Sequence, residues 1–146
     1  QFDQLNNDKK NTHHKENKVV FNEREIFWAW LGQNIGAEEY GKGNEFQRPV
    51  LIIRKLTSQI FIGIPLTSTV KDDGYFHSFH YETKKGTVKS TAMILQLKTF
   101  DKKRLMTRIG MLNKKDFEQI LQKTKNLFIP PEKQAELPEG ELQTVV

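Results

Sequence analysis

The chain contains no cysteine, which removes disulfide staples, thiolate metal sites and cysteine nucleophiles at once. That absence suits a reducing compartment, and the expected location is cytoplasmic. No run approaches the roughly 18–20 apolar residues of a membrane span. The N-terminal stretch QFDQLNNDKKNTHHKENK also lacks the apolar segment of a secretory signal. Membrane anchoring and secretion are therefore not expected. A P-loop, a GxGxxG opening a helix and an HExxH pair are missing too, so the commonest nucleotide and zinc-protease chemistries have no motif to stand on.

What is present fits one small domain. The 146 residues include 36% hydrophobic side chains and ten Phe, enough for a modest core, while a mean hydropathy of -0.64 demands a heavily polar surface. A net charge of +5 and a pI near 9.4 favour an anionic partner: RNA, DNA or an acidic protein.

Residues 1–20 form a polar extension in which Phe2 and Leu5 are spaced to dock one helical turn. In REIFWAWLG, at 24–31, Ile26, Trp28 and Trp30 alternate with Phe27, Ala29 and Leu31, the pattern of a strand covered on both faces. A Gly-rich loop follows, containing Gly36, Gly41 and Gly43. PVLIIRKL and QIFIGIPL then predict a hairpin over 49–56 and 59–66 across Thr57 and Ser58. GYFHSFHYE and STAMILQL predict two further strands joined by a Lys-Lys-Gly turn. A helical turn at Asp101–Arg104, capped by Thr99 or Asp101, leads to a strand near 106–112. Asn113 caps an amphipathic helix carrying Phe117, Ile120, Leu121, Leu127 and Phe128, which Pro130 and Pro131 should end. Residues 129–146 read as an acidic, flexible tail. The expected fold class is mainly β with helices (α+β). It is a strongly bent antiparallel SH3-like barrel over 21–128, with a C-terminal helix and a helical N-terminal extension.

Few residues carry obvious chemistry. His13 and His14 lie in the extension, and His77 and His80 are three apart in a strand, so they face opposite sides and cannot share a metal. No metal site and no cofactor are expected. Arg48 opens the strand RPVLII, where Pro49 biases it towards extended geometry; Thr67 ends the strand IPLTS. Taken alone, these are an Arg free to pair with a loop carboxylate such as Glu45 and a Thr free to cap a turn.

The runs EIFWAWLGQNIGAEE, RPVLII, IPLTS, and ILQLKTFDKKRL followed by IGML resemble, in order and separation, the four signature blocks of the MazF/PemK toxin family. The resemblance covers about residues 23–125. It implies a CcdB-like homodimer that cuts single-stranded RNA at short motifs without metal and is neutralised by a cognate antitoxin. In such enzymes the ribose 2′-hydroxyl attacks the adjacent phosphorus, leaving a 2′,3′-cyclic phosphate and a 5′-hydroxyl. Arg48 matches the family's catalytic Arg, which neutralises charge growing on phosphate oxygens, and Thr67 matches its phosphate-holding Thr. Glu38 matches a Glu that acts as a base or orients the Arg. Ser68, Gln96, Lys98, Lys42 and Tyr40 are candidate substrate contacts. Lys84, Lys85, Lys102, Lys103, Arg104 and Arg108 are candidates to border the RNA groove, with Phe46, Tyr75 or Phe76 as stacking surfaces. Leu95 stands where the family has an acidic residue and Lys98 where it has Arg, so cleavage specificity does not transfer. The alternative is a non-catalytic RNA-binding or gyrase-poison-like module on the same fold.

Overall fold

The computed structural model describes residues 19–32 and 47–136. The described residues form seven strands: β1 (Glu25–Trp30), β2 (Gln47–Lys55), β3 (Ile60–Thr67), β4 (Phe76–Thr83), β5 (Gly86–Met93), β6 (Lys98–Asp101) and β7 (Leu105–Met111). Two helices follow, α1 (Lys114–Phe128) and α2 (Pro131–Gln134). The strand order is β4-β5-β3-β2-β1-β7, with β6 paired to β3, and every pairing is antiparallel. The sheet curls until β4 lies against β7, where Gly110 leaves room for the Tyr81 ring. A Cβ at Gly110 would stand 2.6 Å from Tyr81 Cδ2. The result is a half-barrel with a C-terminal helix.

The hairpin between β2 and β3 forms as the β-branched runs predict, and the Thr57 hydroxyl fixes its turn by accepting from the N–H groups of Gln59 and Ile60 at 3.0 and 2.9 Å. The next hairpin turns at Lys84 and Lys85, closed by Gly86 at a φ of 116° that disfavours any residue with a Cβ. Val50, Leu51, Ile52 and Ile53 are all buried because the sheet is covered on both faces. On one face Ile26, Leu51, Ile64, Leu66 and Phe79 pack beneath Phe117 and Ile120 of α1. On the other, Phe27, Val50 and Ile52 pack with Phe21, Phe61 and Phe100. Arg24, at a left-handed φ of 77°, ties three strands: its N–H donates to the Ile52 carbonyl, its carbonyl accepts from Leu112, and its Nε donates to the Leu112 carbonyl.

Two expectations are corrected. STAMILQL is not one strand: β5 begins at Gly86 and ends at Met93, and Ile94–Gln96 is a 3-10 turn. The turn is needed because one edge of β3 is shared by two partners, β5 opposite Leu66 and Thr67 and β6 opposite Ile60 to Gly63, and the chain must step from one to the other. Lys98–Asp101, read as the approach to a helical turn, is itself a strand, and the 3-10 turn is Lys102–Arg104 with Asp101 as its cap. Within residues 129–146, Pro131–Gln134 forms α2, for which Pro131 at the first helical position is well suited, and residues 137–146 lie outside the described residues. Gln134 pins α2 back by donating to Asn126 and to the Ile129 carbonyl at 2.6 and 2.8 Å. The N-terminal extension lies outside the described residues. Among those described, no helix is long and apolar enough to cross a membrane.

Candidate active site

β2 and β3 pair with Val50 opposite Pro65, so two steps further along the register bring position 48 opposite position 67. Arg48 and Thr67 meet there at the lip of a cavity of about 580 Å³. Arg48 is half-buried, and its Nη1 donates to the Leu66 carbonyl at 3.3 Å, a contact that holds the guanidinium against the end of β3. Thr67 is also half-buried. Its Oγ1 accepts from the Thr69 N–H at 3.3 Å, so it does cap the turn, yet its own O–H proton is still available to donate.

The turn between β4 and β5 contributes Lys84 and Lys85 to the wall, β5 contributes Lys89, and β7 contributes Thr107 and Arg108. Arg108 is anchored by Glu25, Nε to Oε2 at 2.8 Å. Five cations therefore line the cavity, and among its described lining residues there is no carboxylate and no histidine. Tyr81 forms part of the wall. Burial pushes its phenol above the ordinary value, partly offset by a hydrogen bond with Ser90, so it stays neutral at physiological pH. The site can thus concentrate and orient an anion, with a forked cation and a hydroxyl donor fixed by neighbouring strand ends.

Of the candidates read from sequence, Arg48, Thr67, Ser68, Lys84, Lys85 and Arg108 share this cavity. Gln96 sits in the 3-10 turn before β6, and Lys98 stands over the Phe100 ring with Nζ 5.3 Å from its centroid; neither lines the cavity. Nor do Lys102, Lys103, Arg104, Tyr75 or Phe76. Glu38, Tyr40, Lys42 and Phe46 lie outside the described residues. His77 is buried, with Nε2 2.9 Å from Asp116 Oδ1 of α1, and His80 is exposed on the other side. Among the described residues no three His, Asp or Glu side chains gather in a metal-holding cluster. Sequence reasoning passed over Trp28, Gln47 and Lys89. Trp28 follows buried Ile26 by two on the same strand face, and Gln47 immediately precedes Arg48, so alternation and adjacency were the available signals.

The fold is a curled antiparallel half-barrel with a cationic, hydroxyl-bearing cavity at its strand ends. The model of the PemK-like, MazF-like toxins of type II toxin–antitoxin systems matches residues 22–128, and the chain belongs to that family. Membership implies an antitoxin partner. Among solved structures, the chain is similar to MazF (Form-I) from Deinococcus radiodurans, at 15% identity and a TM-score of 0.60 over 76% of this chain and 98% of that one. It is similar also to the Mycobacterium tuberculosis toxin MazF-mt6, at 19% identity and a TM-score of 0.53 over 72% and 96%. A third is an endoribonuclease from a mycobacterial species, at 12% identity and a TM-score of 0.54 over 77% and 97%. At these identities the likeness is one of fold. No curated protein sequence matches the chain.

Proposed function

We propose that the chain is the toxin of a toxin–antitoxin pair and acts in the cytoplasm as a metal-independent endoribonuclease on single-stranded RNA. The observation that carries this is the convergence of Arg48 and Thr67 from adjacent strand ends on one cavity whose other wall is cationic. Family membership and the likeness to a protein described as an endoribonuclease support it.

In this reading the phosphate lies between Arg48 and Thr67. Arg48 forks onto two non-bridging oxygens and stabilises the charge that grows as the 2′-hydroxyl oxygen bonds to phosphorus. Thr67 donates to the same phosphate and holds it in line, with Ser68 beside it. The 5′-oxygen of the next nucleotide leaves with a proton, giving a 2′,3′-cyclic phosphate and a 5′-hydroxyl. The 2′-hydroxyl proton goes to Glu38, which matches the family's base, and the leaving 5′-oxygen takes its proton from water. Tyr40 and Lys42 of that segment add substrate contacts, and an antitoxin neutralises the protein by covering the cavity.

The protein acts as a homodimer. A second concavity of about 540 Å³, between α1 and the β2–β3 hairpin, is floored by Ile53, Ile62, Leu97 and Leu121. Phe128, 71% exposed, stands at its rim. It lies beside β6, which among the described residues pairs only on its β3 side, and a second copy covers both.

The test is incubation of the full chain with a long single-stranded RNA in EDTA, with Arg48→Ala in parallel and the ends of the products analysed. Cuts by the parent alone, ending in cyclic phosphate and 5′-hydroxyl, are expected. Binding without cutting in every sequence tried overturns the reading in favour of a non-catalytic RNA-binding module.

A further inference from the structure

From the geometry of Trp28 and Gln47 we infer that the cavity contains a nucleobase subsite that selects bases bearing a keto group, uracil or guanine, over the amino bases cytosine and adenine. The inference rests on RNA being the substrate. Both residues line the same cavity as Arg48, the proposed phosphate contact. A base flanking the scissile phosphate is therefore within reach of both.

Trp28 is half-buried on β1, opposite Pro49 in the register. Its indole is the largest ring in the cavity wall, the kind of surface on which an unstacked base settles. Its Nε1 lies 2.7 Å from Gln47 Oε1. An indole N–H can only donate, so the carboxamide oxygen must face it. That fixes the orientation of the amide. The Gln47 NH₂ group is turned away from Trp28, and among the described residues nothing accepts from it. A fixed NH₂ is a donor with no acceptor capacity. Aimed at the exocyclic group at C4 of a pyrimidine or C6 of a purine, it bonds the O4 of uracil or the O6 of guanine and meets the amino groups of cytosine and adenine donor to donor. Trp28 thus does two things: it offers a stacking face, and it locks the group that reads the base.

The test is selection of full-length protein on a randomised single-stranded oligonucleotide pool with 2′-fluoro riboses, which has no 2′-hydroxyl to attack. Binding preference is then read whether or not the protein cuts RNA. The parent should enrich U or G about tenfold over C or A at one position of the bound motif. Gln47→Glu keeps an acceptor for Trp28 Nε1 but presents a carboxylate oxygen to the base, and should reverse the preference towards C and A. Trp28→Phe keeps a ring but releases the amide, and should flatten the preference while the motif remains bound. A motif identical in the parent and Gln47→Glu, or a parent with no keto bias, overturns the inference. If that happens while natural RNA is cut, the endoribonuclease stands without this subsite. If the bias appears and is reversed but no RNA is cut, the subsite stands and the nuclease does not.

Discussion

Two concavities of nearly equal size open on the domain, about 580 Å³ at the ends of β2 and β3 and about 540 Å³ between α1 and the β2–β3 hairpin. The first is lined by Arg48, Arg108 and three lysines, with hydroxyls from Thr67, Ser68 and Thr107. The second has an aliphatic floor under Phe128 and Ile129, and its cations, Arg54, Lys55 and Lys125, share the rim with Glu23. Volume does not separate them, but chemistry does. The first can hold a polyanion and place donors on one phosphate; the second offers apolar area of the kind that another protein surface covers. α1 packs over Ile26, Leu51, Ile64, Leu66 and Phe79, while Trp28, two residues beyond Ile26 on the same strand, lines the first concavity instead.

The largest expected effect breaks the first concavity alone. Arg48→Ala should lower RNA cleavage about 10³-fold, as loss of a charge-stabilising donor at the reacting centre does, while thermal unfolding and self-association stay unchanged. Cleavage within tenfold of the parent would remove Arg48 from the chemistry. Next comes the second concavity. Phe128→Glu places a charge at its rim and should weaken self-association by about 2–3 kcal/mol, read from the concentration dependence of the mass in solution. A variant as dimeric as the parent would assign this surface to something other than a second copy. A smaller effect is expected for Thr67→Ala, about tenfold on cleavage, because the hydroxyl contributes one hydrogen bond and Ser68 stands beside it. An equal loss in Ser68→Ala and none in Thr67→Ala would exchange their roles.

How much of this was legible beforehand depends on whether a feature is local. The hairpin between β2 and β3, the cap at Asn113 and the helix it starts follow from neighbours within a few residues, and the structure has them where the pattern predicts. The step from β5 to β6 was not legible, because it answers to the divided pairing of one edge of β3, whose partners there are not its near neighbours in sequence. At the end of the chain Pro130 and Pro131 do stop the long helix, which ends at Phe128, but the short helix that starts at Pro131 was not legible, although proline is also a good first residue of a helix. In the site, Arg48 and Thr67 were recognised through the family's blocks. Trp28 and Gln47 were not, because Trp28 reads as core in a strand that alternates cleanly, whereas in the fold it lines the cavity.

The smallest effect concerns the connection between the two regions. Lys123 on α1 reaches Asp72, in the segment between β3 and β4, with Nζ to Oδ1 at 2.9 Å, and also donates to the Phe76 carbonyl at 2.8 Å. The helix that walls the second concavity is thereby tied to the segment that follows Thr67 and Ser68. The hydrogen bond from Lys123 lowers the Asp72 carboxyl below its ordinary 3.8; slight burial acts the other way, and the charges of Lys123 and His77 add to the lowering. A carboxyl whose folded value is depressed is protonated first in the unfolded chain. Its contribution is therefore complete above the ordinary value and is lost as pH falls through the folded one. Asp72 is 61% exposed, so solvent and salt screen the pair, and Asp72→Asn should cost about 0.5 kcal/mol at neutral pH. Urea unfolding of parent and variant at pH 7 and at pH 3 measures it: the gap between them should narrow at the lower pH and in high salt. A gap that widens on acidification would show that the carboxyl is raised in the folded state and that the tie to Lys123 is not what sets it.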